Sequence, residues 1–171
     1  LSLPAALAPD RSARADECVQ VTLDVEARVA PGVERVDLRV HLDNRVRDHR
    51  LRLLFPTGTP VDEFLAATTF DVARRSTSRP DDRAWVHPAP GTFPQQGFVT
   101  AAGLTVAAPG LPEAEVTADG TIVITLVRAV GWLARMDLKT RPQVAGPTLP
   151  TPEAQCLTEI VAELSLLAGC D

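Results

Sequence analysis

The chain has 171 residues, 45% of them hydrophobic and 23% charged, the balance of one globular domain and not of a disordered tail. Lys and Arg number 17 against 22 Asp and Glu, and a net charge of −5 argues against a nucleic-acid binder or a protein held on an anionic membrane surface. With 15 prolines and 10 glycines, long helices have little room.

The amino end, LSLPAALAPD, lacks a basic leader and carries two prolines, so it does not read as a secretory signal and points to the cytoplasm. Its first residue, Leu1, suggests a piece of something longer. From Val19 to Val29 every odd position is apolar and every even one polar, which predicts one half-buried β-strand. Pro31-Gly32 supplies a turn. A second strand then puts Val36, Leu38, Val40 and Leu42 inward, and the two form a long antiparallel hairpin. Leu51, Leu53 and Phe55 continue the alternation until Pro56-Thr57-Gly58, and Phe70-Asp71-Val72 is a shorter candidate strand. Residues 76–96 read as loop, and residues 97–108 as two short strands around Gly103. Asp119-Gly120 predicts a hairpin turn between residues 115–118 and 121–130. The later strand is apolar on both faces and should lie inside a sheet. Residues 138–155, with four prolines, form a long irregular loop before a last strand through Ile160, Ala162, Leu164 and Leu166. Eight or nine strands without an amphipathic helix predict a single all-β domain over residues 1–171, an antiparallel β-sandwich.

Catalytic motifs are scarce. His41, His49 and His87 show no HxH or HExxH spacing, and no GxSxG elbow or glycine-rich phosphate loop occurs. Cys18, Cys156 and Cys170 have no metal-ligand spacing and read as buried or partly buried thiols of a reducing compartment. The densest polar string is DNRVRDHRLR, residues 43–52, at a junction between strands. It reads either as a turn held by Asp–Arg pairs or as a rim of guanidinium donors around Asp48, His49 and Arg50. Arg128, in an otherwise apolar strand, must pair with a carboxylate or reach a cleft. Trp85 and Trp132 read as core or interface packing rather than sugar platforms. Gln95, Gln96 and Gln155 are hydroxyl binders or loop-tethering amides.

Several strings in one order carry a resemblance: DNRVRDHRLRLLFPTG (residues 43–58), FDVARR (70–75), HPAPGTFPQQGFV (87–99), GLTVAAPGLPEAEV (103–116), DGTIVITLVRAVGWLARMDLKTR (119–141) and AGPTLPTPEAQC (145–156). Together they resemble the C-terminal β-domain of bacterial α-mannosidases of glycoside hydrolase family 38, of the mannosylglycerate hydrolase type. The resemblance runs from about Arg35 to Glu163 and implies a sandwich of the galactose mutarotase-like, α-mannosidase C-terminal kind.

Members of that family are zinc-dependent retaining exo-α-mannosidases whose nucleophile and zinc ligands lie in an N-terminal barrel and adjoining helices. None of those motifs is in this chain. The resemblance therefore implies a catalytically silent domain with no cofactor of its own, zinc belonging to the full-length parent. Its partners would be the barrel and helical domain and, through them, an α-mannoside. Cleft-rim residues expected on this view are Asp48, His49, Arg50 and Arg128, then Arg141 and Gln155. Thr158 stands where a glycine is usual, and family members continue beyond Asp171. Both departures suggest a truncated sandwich with strand edges open to pairing between chains. A stand-alone carbohydrate-binding or protein-assembly sandwich is the alternative; 4% aromatic residues and no Tyr weigh against the first.

Overall fold

A computed structural model of the chain describes residues 1–138, 143 and 146–169. Arg141 and Cys170 lie outside the described residues. Thirteen strands run in the order β1 (Ser2–Pro4), β2 (Cys18–Gln20), β3 (Leu23–Arg28), β4 (Val36–Asp43), β5 (Arg50–Pro56), β6 (Glu63–Ala67), β7 (Val72–Ser76), β8 (Thr92–Pro94), β9 (Phe98–Ala101), β10 (Leu104–Ala107), β11 (Glu113–Val116), β12 (Thr121–Arg128) and β13 (Glu159–Ala168). A single 3-10 turn, Pro152–Gln155, precedes β13. No helix among the described residues is long and apolar enough to cross a membrane.

The strands make an antiparallel sandwich. One sheet has seven strands in the order β3-β4-β13-β10-β9-β6-β7, the other four in the order β5-β12-β11-β8, and β1 and β2 form a small ribbon. Period-two alternation explains the packing. Val40 and Leu42 of β4, Val99 of β9, Val106 of β10 and Leu164 of β13 face inward from the large sheet. They meet Ala114 and Val116 of β11 and Ile122 and Ile124 of β12 in one core, each residue 5% exposed or less. Burying each large aliphatic side chain contributes about 1.5–3 kcal/mol, so this double row holds the sheets together. In β12 the outward Val123 and Thr125 are buried too, as the apolar run implies. A bulge at Leu126 then shifts the register, so that Val127 pairs with Leu51 and Arg128 with Arg50.

The predicted hairpins of β3 with β4 and of β11 with β12 are present, and the two short strands expected around Gly103 are β9 and β10, which pair with each other. The closing strand is present too and lies inside the large sheet between β4 and β10. Other expectations need correction. The alternating run 19–29 is two strands, broken where Val21 is buried and donates to the carbonyl of Leu1. Its second half is a sheet edge, which leaves Val25 and Val29 exposed and not half-buried. Phe70 is no strand residue: it is 99% exposed in the turn between β6 and β7, and β6 itself went unpredicted. The stretch 76–96 contains β8. Leu51, Leu53 and Phe55 alternate as expected but belong to the other sheet. Trp85 and Trp132 are both exposed, which removes the core half of their core-or-interface reading, and Cys18 is an exposed free thiol and not a buried or partly buried one.

Gly120 shows what the β11–β12 turn demands. Its φ is +82°, and a Cβ there would collide with the carbonyl oxygen of Thr59. Gly110 has a similar φ of +79° but open space around it. Gly110→Ala should therefore cost only the backbone strain, about 1–2 kcal/mol, and Gly120→Ala clearly more, because a collision with backbone adds to it. Equilibrium urea unfolding of the two variants checks the order; equal losses would refute the steric part.

Candidate functional site

The crossing from the large sheet to the small one runs through residues 44–49, the polar string between β4 and β5. Asn44 is 1% exposed, and its side chain fixes this crossing at both ends. Its Nδ2 donates to the carbonyls of Gln155 (3.2 Å) and Cys156 (2.8 Å), and its Oδ1 accepts from the Val46 amide at 3.2 Å. Gln155, 7% exposed, completes the clamp. Its Oε1 accepts from the Asp48 amide at 2.8 Å, and its Nε2 donates to Asp48 Oδ1 at 2.7 Å. Asp48 adopts a φ of +53°, a conformation that aspartate tolerates better than most residues. Arg14 adds a third hold, donating to the carbonyls of Asp48, Pro4 and Arg47. Gly131 is required by closeness: a Cβ there would stand 2.8 Å from Gln155 Nε2.

What this clamp presents is an open cleft of about 690 Å³ at the end of the small sheet. Asp48, His49 and Arg50 line it from the start of β5, and Arg128 to Val130 from the end of β12. Residues 131–135, Leu138 and Gln143 and, from the N-terminal segment, Leu7 and Arg11 also line it. The backbone stitches these walls together, Ala129 donating to the His49 carbonyl at 2.8 Å and Thr151 to the Gly131 carbonyl at 2.8 Å. Asp137 takes Arg11 at 2.6 Å and Arg135 at 2.8 Å, joining the N-terminal segment to the 131–137 segment. Those two guanidiniums hold the Asp137 carboxyl well below the usual range, Arg135 contributing most. Arg135 also stacks 4.9 Å over the Trp132 ring.

His49 has a buried Nδ1 without a hydrogen-bond partner among the described residues. Burial, and secondarily the Arg14 charge, push its pKa below the ordinary 6.5, so the imidazole is held neutral. Arg50 lies 3.4 Å from Glu113, within a network in which Arg52 meets Glu115 at 2.8 Å and Thr125 donates to Glu113 at 2.7 Å. Arg128 ends its strand, is exposed, and has no ion pair among the described residues. Of its two alternatives, the cleft and not the aspartate pair is what the structure shows.

Four of the six expected rim residues thus converge: Asp48, His49, Arg50 and Arg128 line one cleft. Gln155 does not line it but positions Asp48 as a tethering amide. Gln95 is likewise a tether, its Nε2 donating to Ala108 and Leu111 carbonyls and its Oε1 accepting from Gly97. Arg141 lies outside the described residues. The sequence reading missed Arg11 and Arg14, which sit in the segment with no motif, and passed over Arg135 and Asp137. Only the last pair had a signal, an opposite charge two residues away. Among the described residues no group of three or more His, Cys, Asp or Glu comes together to hold a metal.

No protein-family profile matches the chain. It is 34% identical over 164 residues to a protein from Halalkalibacterium halodurans that bears the provisional name mannosylglycerate hydrolase, covering 93% of this chain and 17% of that protein. Among solved structures, an α-mannosidase from Enterococcus faecalis V583 superposes with a TM-score of 0.82 at 28% identity. A glycosyl hydrolase family 38 protein from Enterococcus faecalis gives 0.79 at 26%. Each covers 98% of this chain, and the chain spans 20% of each. Over almost all its length the chain therefore corresponds to one small domain of family 38 mannosidase-like proteins.

Two outcomes test the site's construction. Gln155→Leu strips both Asp48 hydrogen bonds at nearly constant volume and should cost about 1–3 kcal/mol in urea unfolding, against about 0.5 kcal/mol or less for Gln96→Leu, an exposed amide between β8 and β9. The pH dependence of stability isolates His49. A depressed pKa means that the unfolded chain binds the proton first, so stability falls as pH drops below about 6.5. His49→Gln should make unfolding free energy less sensitive to pH between about 7 and 5; an unchanged slope would show that His49 is not held neutral.

Proposed function

We propose that this chain, one small β-sandwich domain of the family 38 kind, shapes the substrate cleft of a zinc-dependent retaining α-mannosidase and supports its catalytic barrel. The convergence of Asp48, His49, Arg50 and Arg128 on one cleft carries the reading. Strand ends held by buried amides place these side chains, and such rigid placement suits groups that must meet a ligand in fixed geometry. The relatives' names, α-mannosidase and mannosylglycerate hydrolase, support the reaction class; hydrolysis of terminal α-mannosides is the activity we propose. Their length, about five times that of this chain, leaves ample room for the barrel and helical domain that would carry the nucleophile and the zinc ligands.

The surface beside the cleft supports docking against such a partner. Leu133 donates to the Leu149 carbonyl at 2.9 Å, and Trp132 bridges to Pro150, which sets two extended segments side by side. Trp132, Leu133, Met136 and Leu149 on these segments are all exposed. A run of large apolar side chains left in water is costly for a lone domain and ordinary for a face that the rest of the enzyme covers. We place the protein in the cytoplasm, where the exposed Cys18 thiol stays reduced.

Exposed Trp132 in the cleft favours one other reading, a stand-alone carbohydrate-binding module stacking a sugar on its indole. One experiment separates the two. The protein expressed from the whole reading frame that contains this chain should release 4-nitrophenol from 4-nitrophenyl α-mannoside when zinc is supplied, and the isolated 171 residues should not. Absence of mannosidase activity in the whole product would overturn the proposal. Saturable heat on titrating methyl α-mannoside into the isolated chain would favour the binding module.

A further inference from the structure

Arg50 and Arg128 are partners in the β5–β12 register, directly opposite each other on adjacent strands. Side chains at opposed positions share a face, with Cβ atoms about 5 Å apart, and like charges there repel. Arg50 has a remedy in Glu113 at 3.4 Å and, more distantly, Glu115 at 4.0 Å, whereas Arg128 has no carboxylate among the described residues. Both line the cleft, where Arg11 and Arg135 add two further guanidiniums against the single carboxylate of Asp48. The Asp137 carboxylate is spent on Arg11 and Arg135 and does nothing for Arg128. A chain of net charge −5 thus gathers four guanidiniums at this cleft and leaves one planar fork of donors open at the mouth.

We propose that the Arg50–Arg128 pair is a carboxylate-binding site for a small organic anion. A carboxylate lying between the two guanidiniums accepts charge-assisted hydrogen bonds from both and relieves their repulsion, the geometry in which arginine forks recognise carboxylates. The neutral Trp132 ring and Ala129 in the same cleft offer apolar contact to the carbon skeleton of the ligand. The inference stands on the opposed arginines alone and does not need the mannosidase reading, so either fails without the other.

The probe is lactate, with lactamide as its uncharged counterpart, at matched ionic strength in sodium chloride. With the chain labelled at arginine nitrogens, the Nε–Hε resonances of Arg50 and Arg128 should shift saturably with lactate, at a dissociation constant on the order of millimolar. Lactamide should leave them still. Arg128→Gln should weaken lactate binding about tenfold, Arg128→Lys by less, since the charge survives and the fork does not. Arg74→Gln, on the far edge of the large sheet beside Glu63, should change nothing. Equal response to lactamide or chloride, or binding that survives Arg128→Gln, would overturn the site. Calorimetry on the protein from the whole reading frame should show the same lactate binding. Its loss there would mean that an acidic side chain of the remainder fills the pair, and would overturn a small-ligand site.

Discussion

Two buried amides govern the geometry of this molecule. Asn44 and Gln155 are 1% and 7% exposed, so each unmade hydrogen bond on them would cost about 1–3 kcal/mol. The way to satisfy both is to bring the β4–β5 crossing against the 3-10 turn before β13, which are 111 residues apart in sequence at the Asn44–Gln155 contact. That requirement does two things at once. It locks the place where the chain leaves one sheet for the other, and it aims Asp48, His49 and Arg50 toward the end of β12. Apolar packing alone would hold the sheets together without specifying this junction, because hydrophobic burial is not directional.

The electrostatics follow from the same construction. Across the surface, charges two residues apart neutralise each other: Glu26 with Arg28, Arg35 with Asp37, Asp43 with Arg45, Asp81 with Arg83, and Arg135 with Asp137. In extended chain the spacing of two puts both side chains on one face, so these pairs form with little long-range organisation. Being exposed, most add little to stability. Arg128 breaks the habit. Its neighbours two residues away are Leu126 and Val130, and its cross-strand neighbour is another arginine. A cation placed where neither local nor cross-strand pairing can neutralise it is the feature that makes the cleft more than a gap between loops.

Period-two alternation made most of the strands readable, since an inward apolar row is visible in 36–42 and in 160–166 without any knowledge of partners. It failed where the sheet edge, not the pattern, decides burial: Val25 and Val29 alternate perfectly and still face water. Phe70 failed for the opposite reason, an aromatic residue whose hydrophobicity suggested a strand but whose backbone is a turn. The motif DHR was legible as a candidate rim because three polar groups at a strand junction lack an apolar purpose. Arg14 was not legible at all. Its donation to Asp48, Arg47 and Pro4 depends on a ribbon, β1 with β2, whose three-residue strands give almost no periodic signal. Gln155 was readable as an amide of either kind, and only its burial decides that it tethers.

The cleft is assembled from the crossing into β5, the end of β12, the segment after it from Gly131 on, and the N-terminal segment between β1 and β2, four stretches that meet only in the folded chain. Each is fixed by a different interaction: the amide clamp, the sheet register with its bulge at Leu126, the Asp137 ion triad, and the backbone bond from Arg47 to the Ala5 carbonyl at 2.9 Å. Such redundancy gives each wall of the cleft a fixed place. Guanidiniums and an imidazole held in this way are groups that recognise a ligand and fix its orientation. The stiffness of the clamp that aims Asp48 therefore sets how closely the cleft can fix the position of whatever it meets.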